Sequence, residues 1–233
     1  MAKWIILEQK SLIWAINCAK YCYICNMKNV LDILGNIPVS SATVASLFPD
    51  VSRGNQKVAS LEHEGKLIRL KRGMYIMNPM WSGMRISVNL VANHLYSPSY
   101  VSMHSALRWY GLIPERVVSV QSVSLKHTRS FETPLGLFLY TQVDRDYFPI
   151  GLRHVKTEDA SFVIAGPEKA LCDLICTTAG LNLRYLNETR AFLEEDLRLD
   201  MDAFRDFDPD ILQQCADAGK KARTIETIIK LLR

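Results

Sequence analysis

The sequence predicts an α+β chain in two parts, a small one over residues 27–80 and a larger mixed α/β one over residues 81–233 that closes in a helical tail. Three observations predict it. Before residue 80, short apolar segments at helical spacing lead into a single alternating hairpin pattern. Beyond it, β-type runs are interleaved with helical segments, and after residue 183 the pattern is helical alone. The charge divides along the same line: residues 1–80 carry ten Lys/Arg against five Asp/Glu, residues 81–157 eight against four, and residues 158–233 ten against fifteen. A basic front suits a polyanion, because phosphate neutralisation supplies most sequence-independent affinity. The acidic back reads as a solvated helical surface or as a face for a different partner. With 48% hydrophobic and 22% charged residues, the composition excludes a largely disordered chain.

Residues 1–26 stand apart. Glu8, Lys10, Asn17 and Lys20 break their apolar bursts, so no uncharged stretch reaches the roughly 18 residues that a membrane span needs. Acidic Glu8 and the lack of a small-x-small cleavage site argue against a signal peptide. Patterning begins at Met27, which is expected to be the natural start, with the preceding residues an upstream extension. Cys18, Cys22 and Cys25 have no fourth Cys or His nearby, and Cys172, Cys176 and Cys215 lie far away in apolar helical contexts. That is neither a disulfide framework nor a zinc site, so the expectation is a reducing cytoplasm, no cofactor, no metal and no membrane.

The small part builds in order. Val30, Leu31, Ile33 and Leu34 lie at helical spacing, and Gly35-Asn36 stops that helix. Ser40-Ser41 are good N-caps for a second short helix over Ala42–Leu47, and Phe48-Pro49-Asp50 makes a turn. Ser52 then caps a third helix over Arg53–Glu64, ended by Gly65. On a helical wheel Val58 and Leu61 share the core-facing side. The opposite side carries Arg53, Gln56, Ser60 and His63 with Lys57 on its flank, a set of donors suited to base edges and phosphates or, equally, to plain solvent. The following KLIRLKRGMYIMNP tips that balance. A tight turn at Arg72-Gly73 would pair Leu70 with Tyr75 and Ile68 with Met77 on an apolar underside, leaving Arg69, Lys71, Met74 and Ile76 on the other face. A hairpin with a basic tip directly after such a helix is a wing, so the segment reads as a winged helix-turn-helix in which Arg69, Lys71 and Arg72 grip backbone or a neighbouring minor groove.

Pro49-Asp50 followed by Glu64-Gly65-Lys66 also spells a nuclease-like arrangement of two metal-holding carboxylates beside a lysine. Such acids belong on adjoining strands, whereas these fall in a turn and at a helix end, so a metal-dependent nuclease is the weakest alternative. In the larger part, residues 85–96 and Tyr100–Tyr110 read as helices, and Val117–Leu125, Leu137–Val143, Leu152–Lys156 and Ser161–Ala165 as strands. Gly166-Pro167-Glu168 opens a further helix through Ala170, Leu171, Leu174 and Ile175. His94, His104, His127 and His154 are scattered with no Ser or Cys motif beside them, no phosphate loop occurs, and Cys172 and Cys176 read as core; no enzyme is expected.

Four stretches, in this order, resemble the AbiEi antitoxins of type IV (abortive infection) toxin-antitoxin systems: GKLIRLKRGMY at 65–75, YVSMHSAL at 100–107, TRSFETPLG at 128–136 and AGPEKALCDL at 165–174. The likeness runs from about residue 29 to the end, and residues 1–26 depart from it. The resemblance implies a winged-helix transcriptional repressor that binds double-stranded DNA at inverted repeats in its own promoter. It also implies an antitoxin that counters a nucleotidyltransferase-type toxin without a stable complex, in phage defence. A self-complementary operator would take two copies, hence a homodimer on DNA. The competing reading is a winged-helix regulator whose larger domain senses a small molecule in an apolar pocket.

Overall fold

A computed structural model of the protein describes residues 30–49, 54–115 and 118–232. The expected upstream extension with Cys18, Cys22 and Cys25, the turn residue Asp50, the cap Ser52, the candidate contact Arg53 and the strand residue Val117 lie outside the described residues. The fold is α+β, and the described residues form one three-stranded and one six-stranded sheet. The chain divides into two compact units: one holds the described residues up to Ile68 together with Tyr75–Met84, the other Arg69–Met74 and everything from Arg85 onward. No helix among the described residues is long and apolar enough to cross a membrane.

In the first unit residues 30–32 are helical, and the chain turns through Gly35 at φ 57° into β1 (Val39–Ser40) and α1 (Ser41–Ser46). Ser40 caps α1, its Oγ accepting the Thr43 N–H at 3.0 Å. After α2 (Gly54–His63), Gly65 at φ 70° reverses the backbone into β2 (Leu67–Lys71), which is joined to β3 (Met74–Met77) across a turn with Gly73 at φ 76°. The sheet order is β1–β3–β2, so β3 is central. Asn78 caps the single turn α3 (Pro79–Ser82). The core gathers Leu31, Leu34, Val44, Val58, Leu61, Leu67, Tyr75 and Met77, with Phe48 and Trp81 packed at its edge. Ile33 is 75% exposed, because the helix that would carry it inward has already given way to a turn. Ile76, expected on the hairpin's outer face, is fully buried. Tyr75-Ile76-Met77 is an unbroken apolar run, the mark of a strand covered on both faces, and only an alternating strand keeps a wet side.

The second unit continues through α4 (Val88–Leu95), β4 (Ser99–Val101), α5 (Met103–Trp109), β5 (Ser119–Ser124), β6 (Arg129–Thr133), β7 (Gly136–Gln142), β8 (Leu152–Lys156) and β9 (Ser161–Ala165). Its sheet runs β6–β7–β5–β4–β9–β8. The β5–β7 and β4–β9 pairs are parallel, while β6–β7, β4–β5 and β8–β9 are antiparallel. Tyr100 and Val101, expected in a helix, belong to β4 and pair with Val123 and Ser122. Their aromatic and β-branched side chains suit the sheet, and the helix begins only after Ser102. Strand β6 was not anticipated: Phe131 is its one large apolar residue, and its pairing comes from the turn that Thr133 closes by accepting the Leu135 N–H at 3.1 Å.

Helix α6 (Pro167–Thr177) is the unit's central helix, buried at every position from Glu168 to Ile175. The tail follows as α7 (Leu186–Ala191), a π-helical turn Phe192–Asp196, α8 (Met201–Phe204), α9 (Pro209–Ala218) and α10 (Ala222–Leu232). Helix α10 turns Ile225, Ile228 and Ile229 inward, as an amphipathic stripe should.

Candidate nucleic-acid interface

Helix α2 has two unlike sides because Val58 and Leu61 recur at helical spacing and both bury in the first unit's core. Gln56, Ser60 and His63 are exposed, and Lys57 is half-buried with its ammonium 5.3 Å from the centre of the Phe48 ring. Ser60 Oγ donates to Glu64 Oε1 at 2.7 Å. Close approach of α1 and α2 depends on Gly54, where a Cβ would lie 2.9 Å from the Ala45 Cβ.

Glu64 and Lys66, two members of the nuclease-like pattern, are engaged with each other in an ion pair. The Lys66 hydrogen bond, followed by the one from Ser60, holds the Glu64 carboxyl below its usual range. Lys66 is buried, and its ammonium lies 4.6 Å from the centre of the Trp81 ring. The pair therefore anchors the end of α2 to the strand that follows. Among the described residues no group of three or more His, Cys, Asp or Glu side chains is arranged to hold a metal ion.

At the hairpin tip Arg69 and Arg72 are exposed, but Lys71 is half-buried. Its ammonium donates to the Leu95 carbonyl, at the last residue of α4, and lies 5.4 Å from the centre of the Phe131 ring. Burial, and then the charges of Lys126 and Arg129, push the Lys71 pKa down. These two cations were not singled out from the sequence. Arg129 stacks 4.9 Å from the Phe131 centroid and Lys126 lies 5.3 Å from that of Tyr96. Tyr96, Phe131 and Tyr140 form a ring cluster with centroids 5.2, 5.4 and 5.7 Å apart. Three cations thus gather over aromatic faces, an arrangement that tolerates their mutual repulsion and leaves a positive surface. The signal in the sequence was the alternation of Arg129 and Phe131 on one side of a strand, legible only once β6 is known.

Among the described residues the second unit's histidines join no group of three or more potential metal ligands, and His94 and His154 line one cleft. His104 Nδ1 meets Gln121 Oε1 at 3.2 Å, His127 Nδ1 meets Gln142 Oε1 at 3.3 Å and His154 Nε2 meets Ser161 Oγ at 2.6 Å. Burial pushes the His94 pKa down. A polar centre missed by sequence reading lies on α6, where Lys169 and Asp173, both fully buried, pair at 3.3 Å one turn apart. Lys169 Nζ also donates to the Tyr147 carbonyl at 2.8 Å and lies 3.0 Å from the centre of that ring, while Ser102 Oγ donates to Asp173 Oδ2 at 2.5 Å. Burial pushes the Asp173 pKa up, against the lowering effect of Lys169 and Ser102. No protein-family model matches the chain, and a search of curated proteins finds no significant match.

Proposed function

We propose that the chain is a sequence-reading DNA-binding repressor in which α1, α2 and the β2–β3 hairpin work as a winged helix-turn-helix, α2 being the recognition helix and the hairpin the wing. The observation that carries this reading is α2 itself, which buries Val58 and Leu61 and turns Gln56, Ser60 and His63 outward immediately before a basic hairpin. A Gln amide can bond both N6 and N7 of adenine in the major groove, and a Ser hydroxyl can serve any base. Lys57, Arg69, Lys71 and Arg72 supply phosphate contacts, which position the protein without reading sequence. Two copies on an inverted repeat in the chain's own promoter would place their recognition helices about 34 Å apart.

The four stretches shared with AbiEi antitoxins support a further assignment, that this repressor is the antitoxin of a type IV abortive-infection system and opposes a nucleotidyltransferase-type toxin. Fluorescence anisotropy with the DNA upstream of the coding sequence tests the first half: Gln56→Ala should lose about 1–3 kcal/mol at one base pair and relax specificity there. Unchanged affinity and specificity in that variant would remove α2 from the interface. Co-expression with the product of the adjacent gene tests the second half, since rescue of growth is expected and its failure refutes the antitoxin role.

A further inference from the structure

The second unit contains a cleft of about 450 Å³ between α4, the start of β4 and the β8–β9 pair. Its size falls within the range of small-molecule sites. Leu90, Phe148, Leu152 and Phe162 make its walls, and Phe148 is held edge-on to Tyr100 at 5.0 Å between ring centres. His94 and His154, both exposed, stand at its rim, and Ser161 Oγ is bonded to His154 Nε2. No Asp, Glu, Lys or Arg side chain lines it among the described residues. An anionic group would therefore meet hydrogen-bond donors and no repelling carboxylate, whereas a cationic ligand would find no counter-charge.

The cleft shares α4 with the hairpin tip. Asn93 fixes the helix to β9, its Nδ2 donating to the Val163 carbonyl at 3.1 Å and its Oδ1 accepting the Val163 N–H at 2.6 Å. His94, at the rim, is followed directly by Leu95, whose carbonyl receives the Lys71 ammonium. Tyr96 then joins the ring cluster with Phe131, the ring on which Lys71 also lies. One helical turn thus touches both the cleft and the cation that the wing would offer to phosphate.

We propose that this cleft binds a small aromatic carboxylate, its ring against Phe148 and Leu152 and its carboxylate at His94 and His154, and that occupancy weakens DNA binding by holding Lys71 on the Leu95 carbonyl. A ligand seated at His94 orders the last turn of α4 and so favours the state in which the Lys71 ammonium is tied down. Without it a phosphate oxygen would have only the Leu95 carbonyl contact to displace. The coupling is reciprocal, so DNA lowers ligand affinity by the same factor as ligand lowers DNA affinity. The second half of the proposal rests on the DNA-binding reading, and the first half does not.

The test uses the full chain and benzoate as probe. Isothermal titration should show saturable binding at one site per chain, weakened at least about tenfold in His94→Ala/His154→Ala, whose exposed positions leave the fold intact by circular dichroism. Saturating benzoate should lower operator affinity several-fold in the parent and leave Lys71→Ala unaffected, while Lys71→Ala still binds benzoate. No saturable binding, or equal binding by the double histidine variant, overturns the site. Binding with unchanged operator affinity overturns the coupling. A chain that binds benzoate but no DNA keeps the site and defeats both the coupling and the repressor reading.

Discussion

Lys169 and Asp173 offer a sharp test of how the second unit is held together. Both side chains are fully buried and lie 3.3 Å apart, and each has one further strong partner, the Tyr147 carbonyl for the ammonium and Ser102 Oγ for the carboxylate. Lys169→Met would leave a buried carboxylate with a single hydrogen bond, and Asp173→Asn a buried ammonium with one carbonyl and a ring face. Breaking a buried pair from either side costs about 3–5 kcal/mol, because the remaining charge is uncompensated. The double variant buries no charge and should lose less than either single one, so the cycle should show a coupling of about 2 kcal/mol or more. Urea unfolding of the four proteins at pH 7, followed by circular dichroism, measures it. Additive effects, or single variants within about 1 kcal/mol of the parent, would refute the reasoning. The pH dependence carries its own sign. Burial raises the native Asp173 pKa above its ordinary value of 3.8, so between the two values the native state binds more protons than the unfolded one. Over that window the parent should gain stability relative to Asp173→Asn as pH falls, and lose it as pH rises.

Further outcomes bear on the first unit and the hairpin. Arg72→Ala should reduce the slope of log affinity against log salt by about 0.9, the effect of one lost phosphate contact, when operator binding is titrated with salt; an unchanged slope takes Arg72 off the DNA. Ser40→Ala removes the acceptor for the Thr43 N–H and should destabilise the first unit by about 1 kcal/mol in chemical unfolding. Gly54→Ala would set a methyl group 2.9 Å from the Ala45 Cβ, so α1 and α2 must part. A loss of about 1–3 kcal/mol is expected, with operator affinity falling alongside it. A variant as stable as the parent would show that the two helices do not meet there.

The parts of the fold legible in the sequence are those where one local rule decides. β8 and β9 match their expected bounds because each is a short apolar-polar run fenced by turn residues, and Pro167 marks the start of α6. Polarity of α2 follows from Val58 and Leu61 alone. What stayed hidden depends on partners distant in sequence. β4 is only three residues long and becomes a strand through pairing with β5, and β6 owes its pairing to the turn at Thr133. Lys71 looked like a free tip cation because nothing in its own segment points to Leu95, 24 residues on. Lys169 and Asp173 read as ordinary helix charges; only the covering of α6 on all sides makes them a buried pair.

Asn93 illustrates what such a long-range partner demands. Its amide gives one proton to Val163 and takes one from the same residue, copying for one position what an adjacent strand would do. A helix is thereby stitched to the backbone of β9 through a side chain. Only a side chain that is donor and acceptor at that reach can do this: aspartate loses the gift, leucine loses both directions, and glutamine carries an extra methylene that must buckle. The position is thus narrow in chemistry although its neighbourhood is largely apolar, and a change there would loosen the helix from the sheet before it disturbed any apolar packing.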